Sequence, residues 1–576
     1  MTRIHLSSRH AYLAFSLAFG TGCPSGNGGA GSDTDAAGTD TDAGATSAGV
    51  PTTTDDPTGA SSDTDADPPP VNPAGRCEQS RLGARVLRRL TQVELEHTLR
   101  DIFPEIDGTW SGVQLGIDPA SKHGFTNDAA TLLMGDQTAA EWLATAEEVG
   151  DAVTAPAVLP TILPCAAQSP DSACAAEFIG TYGQRLFRRP LTADERARYE
   201  AHFASIAAEV EFPVALKWTL VGLIQSPHAV YRSELGEPVD GGHALTQHEI
   251  ATALAYTYGG STPSPELLAK AEQGALATPE ARMAEASALL STPRGKDVLH
   301  LFFRQWAKYP QVESKVKLDV AGFDDIRMRM IDETKRFVDE VVFAQDGDVR
   351  ALLTAPFTVL DATLAQFYGF GQVAGDSAVV ERPADWGVGL LAQGSVLAGQ
   401  AHADSSSPTK RGLLVYDRLL CGPHIPPPMN IPAIDPPMPG AQTTRERYEV
   451  AHAGDPACQS CHQYFDPIGF GFEHFDAAGR YRADENGLTI DATGQAVDSK
   501  LVPLITFDGL SDMSSKLAEL GQTTDCVSGL LANFAYGVEE NCLAEEARTA
   551  LQDGELGLRE FYVELAASEH FVRRAE

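Results

Sequence analysis

Cys458, Cys461 and His462 stand in the spacing Cys-x-x-Cys-His, which sets two thiols and an imidazole within about one turn of chain. In that spacing each thiol can add across a vinyl group of haem, and the adjacent imidazole can take the iron as proximal ligand. The same residues admit three other chemistries. Cys458 and Cys461 could be a redox pair, although no thioredoxin-like βαβ pattern surrounds them. With Cys421 and His424 upstream they could complete a four-ligand zinc site. They could also be ordinary disulfide cysteines.

If haem c is attached covalently at Cys458 and Cys461, the ligand opposite His462 decides the function. A second strong ligand favours electron transfer, whereas an open position permits oxidative chemistry on a substrate. Met513 lies downstream at a separation seen in small c-type cytochromes and is the candidate distal ligand. His402, His424, Met429, Met438, His452 and His474 are its rivals. Arg480 and Arg482 could pair with haem propionates, because guanidinium forks suit carboxylates, or with Glu473 and Asp476. Asp466-Pro467 and Gly469 read as a turn leading away from the site, and Phe465, Phe470 and Phe472 as a wall for the cofactor or as core.

The run from Cys458 through Asp466-Pro-Ile-Gly469-Phe-Gly-Phe-Glu473, Phe475-Asp476 and Gly479-Arg480 resembles the cytochrome-c-like domain of uncharacterised exported proteins of planctomycetes and myxobacteria. Arg88-Arg89-Leu90-Thr91, Phe187-Arg188-Arg189-Pro190-Leu191-Thr192, Leu223-Ile-Gln-Ser-Pro-His228 and Phe357–Gly369 extend that resemblance along the chain. It implies a multi-domain, mostly helical exported protein with a c-type haem, and no established reaction.

The elements that must position these residues are chiefly helices. Thr91-Gln-Val-Glu94, Thr192-Ala-Asp-Glu195 and Thr246-Gln-His-Glu249 each read as a capping box opening a helix, with Leu90 stapling to Leu95 at the first. Thr278-Pro279 and Thr292-Pro293 place a capping residue before a proline at the first helical position. Leu299, Phe302, Phe303 and Trp306 form one apolar stripe, and Ile331, Phe337, Val338 and Val341 another. Gly369 ends a helix. The fold class is therefore mainly α: several helical modules with a loop-rich cytochrome-c-like domain near the C-terminal third. The boundaries read as 76–150, 151–236 and 237–371 for three helical modules, 385–482 for the haem domain and 500–576 for a C-terminal helical module. An Asp/Gly-rich stretch after Arg482 suits a hairpin.

At 576 residues the chain exceeds what one core supports. Its net charge of −36 argues against nucleic acid and anionic lipid as partners, since phosphate binding needs clustered cations. Arg3 and Arg9 precede an apolar run over residues 11–19, and small residues lead to Cys23, a pattern of export with lipidation at Cys23. Residues 1–23 read as that signal and 24–75 as an acidic low-complexity tether. No other run is apolar for long enough to span a membrane. The localisation implied is a periplasmic or cell-surface lipoprotein of the outer-membrane type, held to the membrane by its lipid alone. In that oxidising setting Cys165 with Cys174, and Cys526 with Cys542, are the expected local disulfides, leaving Cys77 to Cys421. The expected function is electron transfer with an unidentified redox partner protein. Its rivals are a haem-dependent oxidoreductase and a surface interaction protein with structural zinc or a disulfide at this motif.

Overall fold

A strand at each end of the first 150 described residues ties the N-terminal part of the chain together. In the computed structural model, which describes residues 82–318, 320–425, 442–453, 456–539 and 545–575, β1 (Val86–Arg89) pairs antiparallel with β2 (Tyr231–Glu234), Val86 opposite Glu234. The expected signal and tether, Cys23, Cys77, Met429, Met438 and Cys542 lie outside the described residues.

All three capping boxes form. They open α1 (Gln92–Ile102), α2 (Ala193–Ala207) and α3 (Gln247–Gly259). At the first, Glu94 N–H donates to Thr91 Oγ1 at 3.1 Å and Thr91 N–H to Glu94 Oε2 at 2.9 Å. Each such cap satisfies donors that the helix cannot and contributes about 1 kcal/mol. Thr278 and Thr292 cap the helices Pro279–Leu290 and Pro293–Trp306 in the same way. Gly369, at φ +83°, closes Ala362–Tyr368 in the left-handed conformation that glycine adopts without strain.

Three apolar cores form among the described residues, the smallest around Phe323, Met330 and Leu364, and the buried stripes belong to the other two. Leu95, Leu99, Trp142, Phe178 and Leu220 belong to one, built from residues 90–230 together with Tyr256. The other joins the stripe Leu299, Phe302, Phe303 and Trp306 to residues as distant as Val415, Ile468, Met513 and Phe561. The architecture is mainly α, with short antiparallel sheets of two or three strands among the described residues.

A buried ionic knot joins the N-terminal strand pair to the far end of the chain. Glu234 lies 2.6 Å from Arg574, 3.4 Å from Arg88 and 3.6 Å from Arg232. Burial acts to raise this carboxyl, but the three guanidiniums outweigh it and hold it down at about 2. Arg188 and Arg189 serve the fold in like manner. Arg188 donates to the carbonyls of His228, Ala229 and Tyr231, and Arg189 makes a fork onto Glu195.

The region around the CxxCH motif rests on a helix pair. α4 (Pro408–Arg418) crosses α6 (Pro456–Gly469), with α5 (Thr444–Ala453) beside α6. A Cβ at Gly412 would overlap the Phe465 carbonyl oxygen, and one at Gly469 the Pro408 carbonyl oxygen, so two glycines permit this crossing. Buried Arg411 then donates to the carbonyls of Leu397, Phe472, Phe475 and Asp476 and fixes the chain that leaves α6. The expected turn at Asp466-Pro467 is instead helix: α6 runs through Pro467 to Gly469 and passes into a 3-10 turn at Phe470–Phe472. A proline near the end of a helix costs little once the close crossing with α4 has fixed the backbone there.

The hairpin after Arg482 is present as β3 (Asp484–Glu485) with β4 (Leu488–Thr489), turning through Asn486 and Gly487. Strand β5 (Thr493–Val497) then lies against α6 and pairs with β6 (Pro503–Asp508), which packs on α7 (Gly509–Glu519) and leads through it into α8 (Gly521–Tyr536). Cys165 bonds Cys174 as expected. Cys526 bonds Cys421, which replaces both the expected Cys526–Cys542 and Cys77–Cys421 pairings. Tertiary packing of α8 against the end of α4 sets this pairing, and sequence proximity does not report it.

Candidate metal centre

Three residues from two helices meet beside α6. His462 and Asp466 stand four positions apart on α6, hence on one face, and His452 reaches them from the last turn of α5. Asp466 Oδ2 lies 2.5 Å from His452 Nδ1 and 3.0 Å from His462 Nδ1. Thr409 of α4 donates to the other carboxylate oxygen, Oδ1, at 2.6 Å. The two imidazoles lie against one another, tilted by 33°, with ring centroids 3.6 Å apart. One potential ligand atom from each of His452, His462 and Asp466 falls within 4.8 Å of the others.

The electrostatics follow from burial. His452 and Asp466 are 3% and 4% exposed, so a lone carboxylate here would carry a large desolvation cost. Burial pushes the Asp466 carboxyl upward, and hydrogen bonds from His452 and His462 reverse that and leave it below the ordinary carboxylate range. An ionised carboxylate only accepts, so each Nδ1 donates to it. His452 Nε2 is buried without a hydrogen-bond partner among the described residues.

The cluster opens on a cleft of about 500 Å³, bounded also by Arg445, Tyr448, Phe470 and the β5 residues Thr493–Gln495. Arg445 lies over the Phe470 ring at 4.6 Å and bridges to Glu449 and Asp491. Around the far rim Tyr448 Oη is 3.3 Å from His402 Nε2, and His402 Nδ1 is 3.3 Å from Lys410 Nζ. Burial, with Lys410 beside it, lowers His402 to about 4.

The residues expected at a covalent haem are arranged otherwise. Cys458 is disulfide-bonded, and Cys461 is a free, partly exposed thiol. Neither lines the cleft onto which His462 opens. A sulfur already in a disulfide cannot also form a thioether, so attachment of haem through both cysteines does not fit this arrangement. The alternative zinc set fails for the same reason, because Cys421 and Cys458 are both oxidised and His424 is exposed. Met513 is fully buried on α7, its sulfur packed near Gly471, and it does not line the cleft. Of the rival ligands, His452 meets His462, whereas His474 bonds the Arg482 carbonyl. Arg480 pairs with Asp476 and Arg482 with Glu473 and Glu485. Phe470 borders the cleft, while Phe465 and Phe472 are core.

Sequence reasoning missed Asp466 and Thr409. The signal for Asp466 was its place four residues after His462, a helical spacing that the Asp-Pro dipeptide masks by suggesting a turn. Thr409 has no local signal, since it reaches the site only through the crossing of α4 and α6.

Four family descriptions match segments of the chain. Residues 88–155 match PSD3 (DUF1587), 174–234 PSD5 (DUF1595), 245–370 PSD4 (DUF1592) and 388–485 PSCyt3 (DUF1588), each described as a protein of unknown function. The name of the last hints at a cytochrome-like domain, and it covers α4, α5 and α6. No curated protein and no solved structure matches. The chain is thus assembled from segments similar, in order, to the PSD3, PSD5, PSD4 and PSCyt3 families, with the histidine–aspartate cluster inside the PSCyt3 segment.

Proposed function

We propose that the chain is an electron-transfer protein working outside the cytoplasm, with its redox centre on α6 and a second redox protein as partner. One observation carries the reading: a buried carboxylate holds His462 and His452 by Nδ1, the way metal-ligating imidazoles are oriented. The cytochrome-like name of the PSCyt3 segment is consistent with it. Disulfides at Cys165–Cys174 and Cys421–Cys526 favour an oxidising compartment, and lipidation at Cys23 would hold the chain at a membrane surface. No described helix is long and apolar enough to cross a membrane.

In this reading Asp466 fixes the tautomer of both imidazoles, Thr409 fixes Asp466, and Arg445 and Phe470 border the solvent approach. A redox metal supplies the one-electron chemistry when bound. The test is protein-film voltammetry on the full chain, exported from a bacterial host, beside His462→Ala. A reversible one-electron couple, lost in the variant, is the expected outcome. No couple, or one unchanged by the substitution, sinks the redox reading.

A further inference from the structure

We infer that Cys458 and Cys461 form a thiol–disulfide exchange centre near the start of α6, in which the Cys461 thiol displaces the present partner of Cys458 and the two motif sulfurs close a disulfide of their own. None of His452, His462 and Asp466 takes part, so the centre stands apart from the electron-transfer reading.

The reactants are already together. Cys458 holds a disulfide, Cys461 is the free thiol among the described residues, and both lie on α6, three positions apart. Residues at that spacing share one side of a helix, with Cα atoms about 5 Å and Cβ atoms about 5–6 Å apart. The Cα separation falls within the range that disulfides use, and the Cβ separation exceeds it by about 1–2 Å. The start of α6 can take up that difference by tightening, because the first N–H groups of a helix have no intrahelical carbonyl to leave.

The step needs no outside oxidant. The Cys461 thiolate attacks Cys458 Sγ, a new S–S bond forms between them, and the old one breaks; its outer sulfur leaves as a thiolate and takes up the proton that Cys461 gave up. One disulfide replaces another and one thiol another, so electrons balance. Burial selects the nucleophile. Cys458 is 7% exposed, which keeps solvent-borne thiols from its sulfur, whereas the helix itself holds the Cys461 thiol one turn away. Ser460 Oγ lies 3.6 Å from Cys461 Sγ, within reach to donate to a thiolate there. Since α6 holds only these two cysteines, a bond out of the helix becomes a bond within it. The new disulfide ends at the partly exposed Cys461, where a small thiol can reach it.

The deciding experiment incubates the full-length exported chain without added thiol over a series of pH values, quenches it in acid, alkylates it with N-ethylmaleimide and maps the unreduced peptides by mass spectrometry. A peptide with an internal Cys458–Cys461 disulfide is expected to accumulate, in step with loss of label from Cys461 and gain of label on one other cysteine. Its rate should rise about tenfold for each pH unit between about pH 5 and 7, because the thiolate is the attacking form, and should not change on dilution, because both sulfurs belong to one helix. Cys461→Ser should abolish the new peptide and leave the original bond of Cys458 in place. A Cys458 bond equally stable in the parent chain and in Cys461→Ser, a rate that falls on dilution, or thioether-bound haem on both cysteines would each overturn the exchange centre.

Discussion

His452 Nδ1 lies 2.5 Å from Asp466 Oδ2, so the last turn of one helix and the body of the next share a buried, charge-assisted contact across 14 residues of sequence. The segment between them includes residues 454 and 455, outside the described residues. Together with the contact between the His452 and His462 rings, it links α5 to α6 at the site.

Asp466→Asn keeps the shape of the side chain but removes the charge that two imidazoles and Thr409 address. Removing one partner of a buried charged cluster costs on the order of 3 kcal/mol. Thr409→Val removes one hydrogen bond and should cost about 1 kcal/mol. Urea denaturation of both variants checks the order. Equal midpoints for Asp466→Asn and the parent chain would show that the cluster carries no such energy.

The state of the motif cysteines is directly measurable. Alkylation of the native chain followed by peptide mapping should label Cys461 and leave Cys165, Cys174, Cys421, Cys458 and Cys526 unlabelled until reduction. The reactive form of a thiol is the thiolate and it needs access, which Cys461 has as a partly exposed side chain. Label on Cys458 before reduction, or a porphyrin mass on its peptide, would restore the thioether reading.

Gly412 is the contact on which the site's geometry depends. A Cβ there meets the Phe465 carbonyl and lies 2.9 Å from Gly469 N, so Gly412→Ala must push α4 off α6 and carry Thr409 away from Asp466. Backbone atoms cannot swing aside as a side-chain tip can. The expected loss is about 3 kcal/mol or more by overpacking, read as a lower urea midpoint than that of the parent chain. Gly529→Ala, inside α8 and meeting nothing within 4 Å, is the control and should leave stability unchanged or raise it by up to about 1 kcal/mol.

Much of the helical framework was legible because its signals are local. Thr91, Thr192 and Thr246, each with an acid three residues on, state where a helix begins without reference to the rest of the chain. The Cys165–Cys174 bridge was legible for the same reason, being closed by a short loop. The site was legible only in part. His462 stood out by spacing, but Asp466 looked like a turn because its proline neighbour breaks most helices, and His452 was one histidine among several. Cys421 meeting Cys526 across 105 residues is a fact of packing between distant helices, which no local pattern encodes.

The acid limb of stability should show the Arg189–Glu195 fork. Arg189 donates two hydrogen bonds to Glu195 at 2.8 Å each, and that contact, together with the Thr192 backbone N–H, holds the Glu195 carboxyl down at about 2 against a burial penalty. The folded value lies below the unfolded one of about 4.5, so the stabilising charge is fully present above pH 4.5 and lost as pH falls toward 2. Arg189 is 31% exposed, which screens the pair and reduces the contribution to on the order of 2 kcal/mol. Glu195→Gln isolates this effect, because glutamine still completes the capping box with Thr192 while carrying no charge. The difference in unfolding free energy between parent and variant should be about 2 kcal/mol at pH 7 and shrink steadily below pH 4.5. A difference that stays constant down to pH 3 would mean that the fork works through its hydrogen bonds and not through the ionisation of Glu195.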